Sequence, residues 1–295
     1  MTTAHALRPT PRDDTRPGMA DPGHILDALD RAAERWSTPI EDGGSLAWRG
    51  WGSGTPLVLL HGWAGSWRHW TRNIPALSAR YRLLVPDLPG MGDSDALPAG
   101  ATRGAVARIV IRGVHQILGP GGRYALSGFS FGGSVAGIAA SLDGGRIDRV
   151  TLVAPGGFGI PSLAPQTARV RGLDGAERMA AHRHNLQALM FADPGRIDAL
   201  ALEIQDRNTA RMRATFMARE PEALQEAVRR IAVPPRFIWG AKDNFCGARI
   251  GEYVDLVQQL RPADARIRLI EGAGHWVAYE AAEAFDAALL ESLGA

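Results

Sequence analysis

The stretch Tyr124-Ala125-Leu126-Ser127-Gly128-Phe129-Ser130-Phe131-Gly132-Gly133, with the small-residue run 134–140 behind it, decides the fold. It predicts a short buried strand, a turn of one residue and a tightly packed helix. Ser130 occupies the turn with a glycine two positions to either side, the spacing G-x-S-x-G. A strand that reverses into a helix around a single residue forces that residue into a strained backbone conformation. Side chains two positions away would then collide, so only glycine fits. The strain carries the serine hydroxyl clear of the sheet and points the next amide, at a helix N-terminus, toward the same place. An ordinary glycine-rich turn can carry the same pentapeptide, so the rest of the chain has to supply partners for the serine.

Outward from this stretch, short apolar runs alternate with amphipathic segments. Strands are predicted at 45–49, 57–60, 82–86, 149–153, 236–239 and 266–270, and helices at 24–36, 70–77, 103–118, 250–260 and 280–293. Continuous apolar runs such as Leu57-Val58-Leu59-Leu60 suit strands buried on both faces. The alternation predicts an α/β fold with a mainly parallel sheet. It breaks between 155 and 231, where no strand is evident and helices are expected at 186–191, 196–216 and 221–231. A helical insert of this kind is expected to sit as a cap, or lid, over the C-terminal strand ends, where open α/β sheets bind ligands. The expected division is a core of 24–154 and 232–295, a cap of 155–231, and a disordered N-terminal tail of 1–23, rich in Pro, Arg, Asp and Thr.

Composition narrows the function classes. The 295 residues carry a formal net charge of +2 without a long basic block, so nucleic acid is not an expected partner. No apolar run approaches a membrane span and the tail lacks the apolar region of a secretory signal, so no membrane partner is expected. Cys246 is the only cysteine, which excludes an intrachain disulfide and a thiolate-built zinc site. The expected compartment is the cytoplasm, and no cofactor or metal is expected. The expected partner is a small-molecule substrate, with a homodimer as an option.

A serine held in such a turn needs a base and an acid that orients the base, each in a loop that follows a strand. Asp243 lies in Trp239-Gly240-Ala241-Lys242-Asp243, just past an apolar strand. His275 lies in Gly272-Ala273-Gly274-His275-Trp276, after the last strand. Either alone would be an ordinary turn residue; together they complete Ser130–His275–Asp243 in the required chain order. His275 would take the proton of Ser130 during attack and return it to the leaving group, and Asp243 would hold the imidazole tautomer. The oxyanion donors are expected to be the backbone N–H groups of Phe131 and of Trp63, in the loop His61-Gly62-Trp63-Ala64-Gly65-Ser66. His61 itself reads as a brace for that loop. His182 and His184, two residues apart in the cap, read as surface residues.

These motifs, with the turn Asp87-Leu88-Pro89-Gly90-Met91-Gly92, resemble those of α/β-hydrolases with a helical cap, over nearly everything from residue 43 onward. The resemblance implies a mostly parallel, eight-stranded-type sheet flanked by helices. Gly274-His275-Trp276-Val277-Ala278-Tyr279-Glu280 is similar to the histidine loop of the meta-cleavage product hydrolases, which split a carbon–carbon bond, and of related carboxylesterases. In that subfamily a cap arginine engages the substrate carboxylate, which makes Arg207 and Arg211 candidates. Two positions depart from its pattern: Phe129 and His69 stand where amide side chains are typical. With Trp67, Trp276 and Met190 also expected near the site, the pocket is expected to be apolar and aromatic. The expected activity is serine-dependent cleavage of a carboxylic ester or an activated carbon–carbon bond in a small, largely hydrophobic substrate. The alternatives are acyl transfer or perhydrolysis at the same triad, and a slowly turning-over, receptor-like binding protein.

Overall fold

Four runs of buried aliphatic residues, Leu57–Leu60, Leu83–Val85, Leu126 with its neighbours, and Val150–Val153, form the centre of a single sheet. The computed structural model describes residues 21–40, 43–161, 165–214 and 217–294. Its strands are β1 (Glu34–Pro39), β2 (Ser45–Trp51), β3 (Pro56–Leu60), β4 (Arg82–Pro86), β5 (Tyr124–Phe129), β6 (Ile147–Val153), β7 (Arg236–Gly240) and β8 (Arg266–Ile270). They lie in the order β1-β2-β4-β3-β5-β6-β7-β8. β1 and β2 pair antiparallel, β2 joins β4 antiparallel, and every pairing from β4 onward is parallel. Strands β3 to β7 therefore end at one edge of the sheet, and the loops that leave them converge there.

The helices are α1 (Pro22–Ala32), α2 (Ile74–Ser78), α3 (Arg103–Leu118), α4 (Phe131–Leu142), α5 (Gly175–Leu189), α6 (Ala199–Ala210), α7 (Ala223–Arg230), α8 (Ile250–Leu260), α9 (Val277–Glu280) and α10 (Ala282–Leu293). The predicted α3 and α8 and the predicted strands β4 and β8 match the observed bounds. Helix α4 is buried along ten consecutive residues because Gly132, Gly133, Gly137 and its alanines let it lie close against the sheet. No helix among the described residues is long and apolar enough to cross a membrane.

Several expectations need correction. The helix expected at 186–191 is the end of α5, which begins at Gly175 and stops at Leu189. The helix predicted over 24–36 stops at Ala32, and residues 34–39 form the edge strand β1. Only Thr38 of that strand is buried, where its hydroxyl accepts from Trp48 Nε1 at 2.8 Å, so the period of two is hidden by exposed polar residues. The tail was expected to run to residue 23, but Pro22 and Gly23 open α1, with the Asp21 carboxylate accepting from the Gly23 amide at 3.3 Å. The remainder of the tail, 1–20, lies outside the described residues. The predicted 196–216 helix ends at Ala210; residues 215 and 216 of that expectation are outside the described ones.

Within 155–231 the helices divide. α5 and α6 pack on each other, and His182 Nε2 meets Asp206 Oδ1 at 3.0 Å between them; His182 is fully buried, not on the surface as expected. α7 instead packs along α4, with Leu224 filling the space beside Gly137. It flanks the sheet rather than roofing it.

Asp286, on α10, has burial as the main cause of a carboxyl pKa pushed up to about 7, with the Asn73 amide 2.8 Å away only partly opposing it. The folded state therefore holds this proton more tightly than the unfolded chain, whose value is near 3.8. Its contribution to stability is full below 3.8 and is lost as pH rises toward 7. Asp286→Asn, followed by thermal unfolding from pH 4 to 8, is expected to flatten that decline and to leave the protein at least as stable as wild type at pH 8.

Candidate active site

Ser130 follows β5 with φ 55° and ψ −114°, a region that side chains rarely occupy, and its carbonyl lies at the head of α4. The flanking glycines are sterically required. A Cβ on Gly128 would lie 2.1 Å from the Gly132 carbonyl oxygen, and one on Gly132 would lie 2.4 Å from the oxygen of His61. The backbone thus fixes the hydroxyl above the sheet edge.

Two loops bring the partners. Asp243 follows β7 and His275 follows β8, strands adjacent in the sheet. His275 Nε2 lies 2.9 Å from Ser130 Oγ, and His275 Nδ1 lies 2.7 Å from Asp243 Oδ2. Because an ionised carboxylate only accepts, the proton belongs on Nδ1, which leaves the Nε2 lone pair facing the serine hydroxyl. The other oxygen of Asp243 accepts from the amides of Phe245 at 2.8 Å and Cys246 at 3.2 Å. Burial alone would raise the Asp243 pKa; the imidazole beside it and these two amides outweigh burial and hold it below the usual carboxylate range.

The histidine loop is fastened from beneath. The buried Glu280 carboxylate accepts from the amides of Gly274 at 2.6 Å, Ala192 at 3.1 Å and Asp193 at 2.8 Å. Asn244 accepts from the His275 amide at 3.3 Å and donates to the carbonyls of Gln187, Ala188 and Phe191 at the end of α5. Both side chains tie the histidine loop to residues 187–193, at and just past the end of α5.

On the opposite side, the loop after β3 is held by its two histidines. His61 Nε2 accepts from the Leu88 amide at 2.8 Å, so its Nδ1–H donates to the Gly62 carbonyl at 2.8 Å. His61 is a brace, as expected. His69 Nδ1 accepts from the Gly62 amide at 3.2 Å, which leaves Trp63 as the next amide along. Neither the Trp63 amide nor that of Phe131, at the first position of α4, has a protein acceptor among the described residues. The two rings meet edge to face, 5.2 Å between centroids.

A cavity of about 500 Å³ opens on Ser130, Asp243 and His275. Its walls are mostly apolar, from Trp63, Phe131, Ile160, Met217 and Phe245, with Arg103 and Tyr253 as polar exceptions. None of the seven residues expected to bind substrate lines it. Phe129 is buried behind the imidazole, its ring 5.0 Å from His275 and 5.6 Å from His69. His69 is itself buried, and burial drives its pKa well below the ordinary value, so it is a neutral spacer. Trp276 is fully buried with Nε1 donating to the His69 carbonyl at 3.1 Å, and Trp67 is fully buried against Trp51 and the guanidinium of Arg68. Met190 packs against the core, its carbonyl accepting from the Trp276 amide at 2.9 Å. Arg207 is neutralised by Glu203 at 2.7 Å and Asp27 at 2.5 Å, and Arg211 pairs with Asp93 at 3.3 Å. Of these aromatic residues Phe129 backs the imidazole directly, and Arg207 and Arg211 spend their charge on carboxylates of the protein.

Comparison with known proteins places this arrangement in context. A family model described as "Alpha/beta hydrolase family" matches residues 57–288. The chain is 28% identical over 261 residues to a 2-hydroxy-6-oxo-6-phenylhexa-2,4-dienoate hydrolase of Burkholderia cepacia, covering 82% of this chain and 88% of that one. Among solved structures, an esterase from Rhodococcus sp. ECU1013 superposes with a TM-score of 0.71 at 24% identity, covering 90% of this chain and 99% of the other. A meta-cleavage product hydrolase from Pseudomonas fluorescens IP01 does so with a TM-score of 0.63 at 20% identity, covering 85% and 95%. At such identities the structural likeness speaks for the fold.

Proposed function

We propose that this chain, which belongs to the alpha/beta hydrolase family, is a serine hydrolase that cleaves a carboxylic ester of a small, largely hydrophobic substrate. The observation that carries the reading is the continuous line from Ser130 Oγ through His275 to Asp243, at 2.9 and 2.7 Å, opening on an apolar cavity. A serine hydroxyl is too weakly acidic to attack as an alkoxide, so Nε2 takes its proton as the Oγ–C bond forms. The tetrahedral oxyanion takes hydrogen bonds from the amides of Phe131 and Trp63, the proposed donors. The imidazolium then protonates the departing alcohol, and water repeats the sequence on the acyl-enzyme. A second reading, cleavage of a carbon–carbon bond beside a ketone, takes its support from the dienoate hydrolase of Burkholderia cepacia. It uses the same residues but discharges a carbanion.

Steady-state assays on p-nitrophenyl esters and on a ring-fission dienoate separate the two, and turnover of neither would count against both. Asp243→Asn is expected to lower kcat on the order of 10⁴-fold, since an amide cannot enforce the Nδ1–H tautomer. Its residual activity should still exceed that of a variant without the serine hydroxyl. An Asn variant with wild-type kcat would remove Asp243 from the proposed mechanism.

A further inference from the structure

A substrate carbonyl on Ser130 that donates its growing charge to the amides of Trp63 and Phe131 brings its first carbons against the side chains of those two residues. The leaving alcohol must reach His275 Nε2, 2.9 Å from Ser130 Oγ, to be protonated. The histidine loop and the Trp63 loop stand on opposite sides of the serine. The acyl chain is thereby left to the wall that Trp63, Phe131 and Met217 contribute to the cavity.

Behind that wall lies a second, apolar space. The same three residues also face a cleft lined by Pro89, Met91, Leu97, Pro98, Val106 and Ala214. Among the described residues every one around it is apolar, and Asp243, Phe245 and His275 do not reach it. Only about 10 Å³ of the cleft is free, room for a single water at most. Trp63 is the bulkiest of the three side chains that stand between the two spaces. It is 37% exposed, the least buried aromatic residue of the cavity, and its ring meets Phe131 edge to face at 5.2 Å. Phe131 is buried at the head of α4 and locked to the Ser130 turn, whereas Trp63 is carried by a loop. The indole is therefore the part of the wall that can change without moving the turn.

We propose that the indole of Trp63 is a specificity-determining partition that ends the acyl site early, so that the substrate is an ester with a short acyl chain. Without the indole, the apolar cleft joins the cavity and the acyl site extends between the loop after β4 and α3. This rests on the serine-hydrolase reading above.

The test compares 4-nitrophenyl butyrate with 4-nitrophenyl decanoate on wild type, Trp63→Ala and the double variant Trp63→Ala/Val106→Phe. Alanine keeps the backbone amide at 63, so the ratio of the two kcat/KM values reports the side chain. The wild type is expected to favour the butyrate. Trp63→Ala is expected to raise the decanoate-to-butyrate ratio about tenfold or more, because the added methylenes gain an apolar wall. Val106→Phe, which refills the cleft from α3, is expected to bring the ratio back; if that double variant does not fold, Leu97→Trp replaces it from the rim of the same cleft. An unchanged ratio in Trp63→Ala, a wild type that favours the decanoate, or a raised ratio that refilling does not lower overturns the proposal and leaves the hydrolase reading intact. A parallel measurement needs no turnover: decanamide should raise the Tm of Trp63→Ala more than that of the wild type, with butyramide acting on both alike. If neither ester is hydrolysed, this measurement decides. A decanamide difference then leaves the partition standing while the hydrolase reading fails, and no difference overturns both.

Discussion

Ser130→Ala is expected to eliminate multiple turnover, with kcat falling on the order of 10⁶-fold, while the unfolding midpoint stays close to that of wild type. The large effect follows from chemistry: without Oγ no acyl-enzyme forms, and the intact imidazole and carboxylate have nothing to activate. The small effect follows from packing. Among the described residues the hydroxyl's one hydrogen-bond partner is His275 Nε2, and alanine occupies the same strained φ without added bulk. Two measurements check it together, kcat on an activated ester and intact mass after treatment with a serine-reactive phosphonate. The wild type should gain one adduct and the variant none. An alanine variant that turns over normally would remove Ser130 as nucleophile.

The second large effect concerns stability. Gly132→Ala places a methyl group 2.4 Å from the His61 carbonyl oxygen and 2.5 Å from that of Leu60, both backbone atoms of the neighbouring strand and its loop. Neither can swing aside as a side chain could, so α4 must move away from β3 and carry the Ser130 turn with it. A cost of about 3 kcal/mol is expected, which corresponds to a Tm lower by roughly 5 °C for a chain of this size. Gly251→Ala is the control. It sits in α8 with nothing within 4 Å of its added Cβ, and it is expected to hold or slightly raise Tm through helix propensity. Equal Tm changes for the two would mean that close packing at the turn is not what demands glycine.

The features legible in the sequence were those with a one-to-one link between residue type and backbone. Glycines at 128 and 132 admit the close approach that a one-residue turn requires, and the apolar runs at 57–60 and 82–86 have too few polar residues for any exposed element. Asp243 and His275 followed because a parallel sheet delivers the ends of successive strands to one edge. What the sequence hid was depth. Trp67, Phe129, His69 and Trp276 are aromatic residues near the site in the chain, but a packed core and a pocket wall recruit the same residue types, and here the core took them. The real lining, Ile160, Met217, Phe245 and Arg103, comes from loops and a helix end whose approach depends on long-range packing. Charge was equally hidden: Arg207 and Arg211 look available in sequence, and the carboxylates that occupy them, Asp27 and Asp93, lie far off in the chain. The edge strand β1 was missed for a related reason, since five of its six residues stay at least partly exposed and show no apolar alternation.

The side chains of Glu280 and Asn244 stitch residues 187–193, at and just past the end of α5, to the peptide that carries His275. These two pieces cannot part without exposing a buried carboxylate stripped of its amide donors. A roof hinged at this end would therefore pull the imidazole out of register each time it lifted.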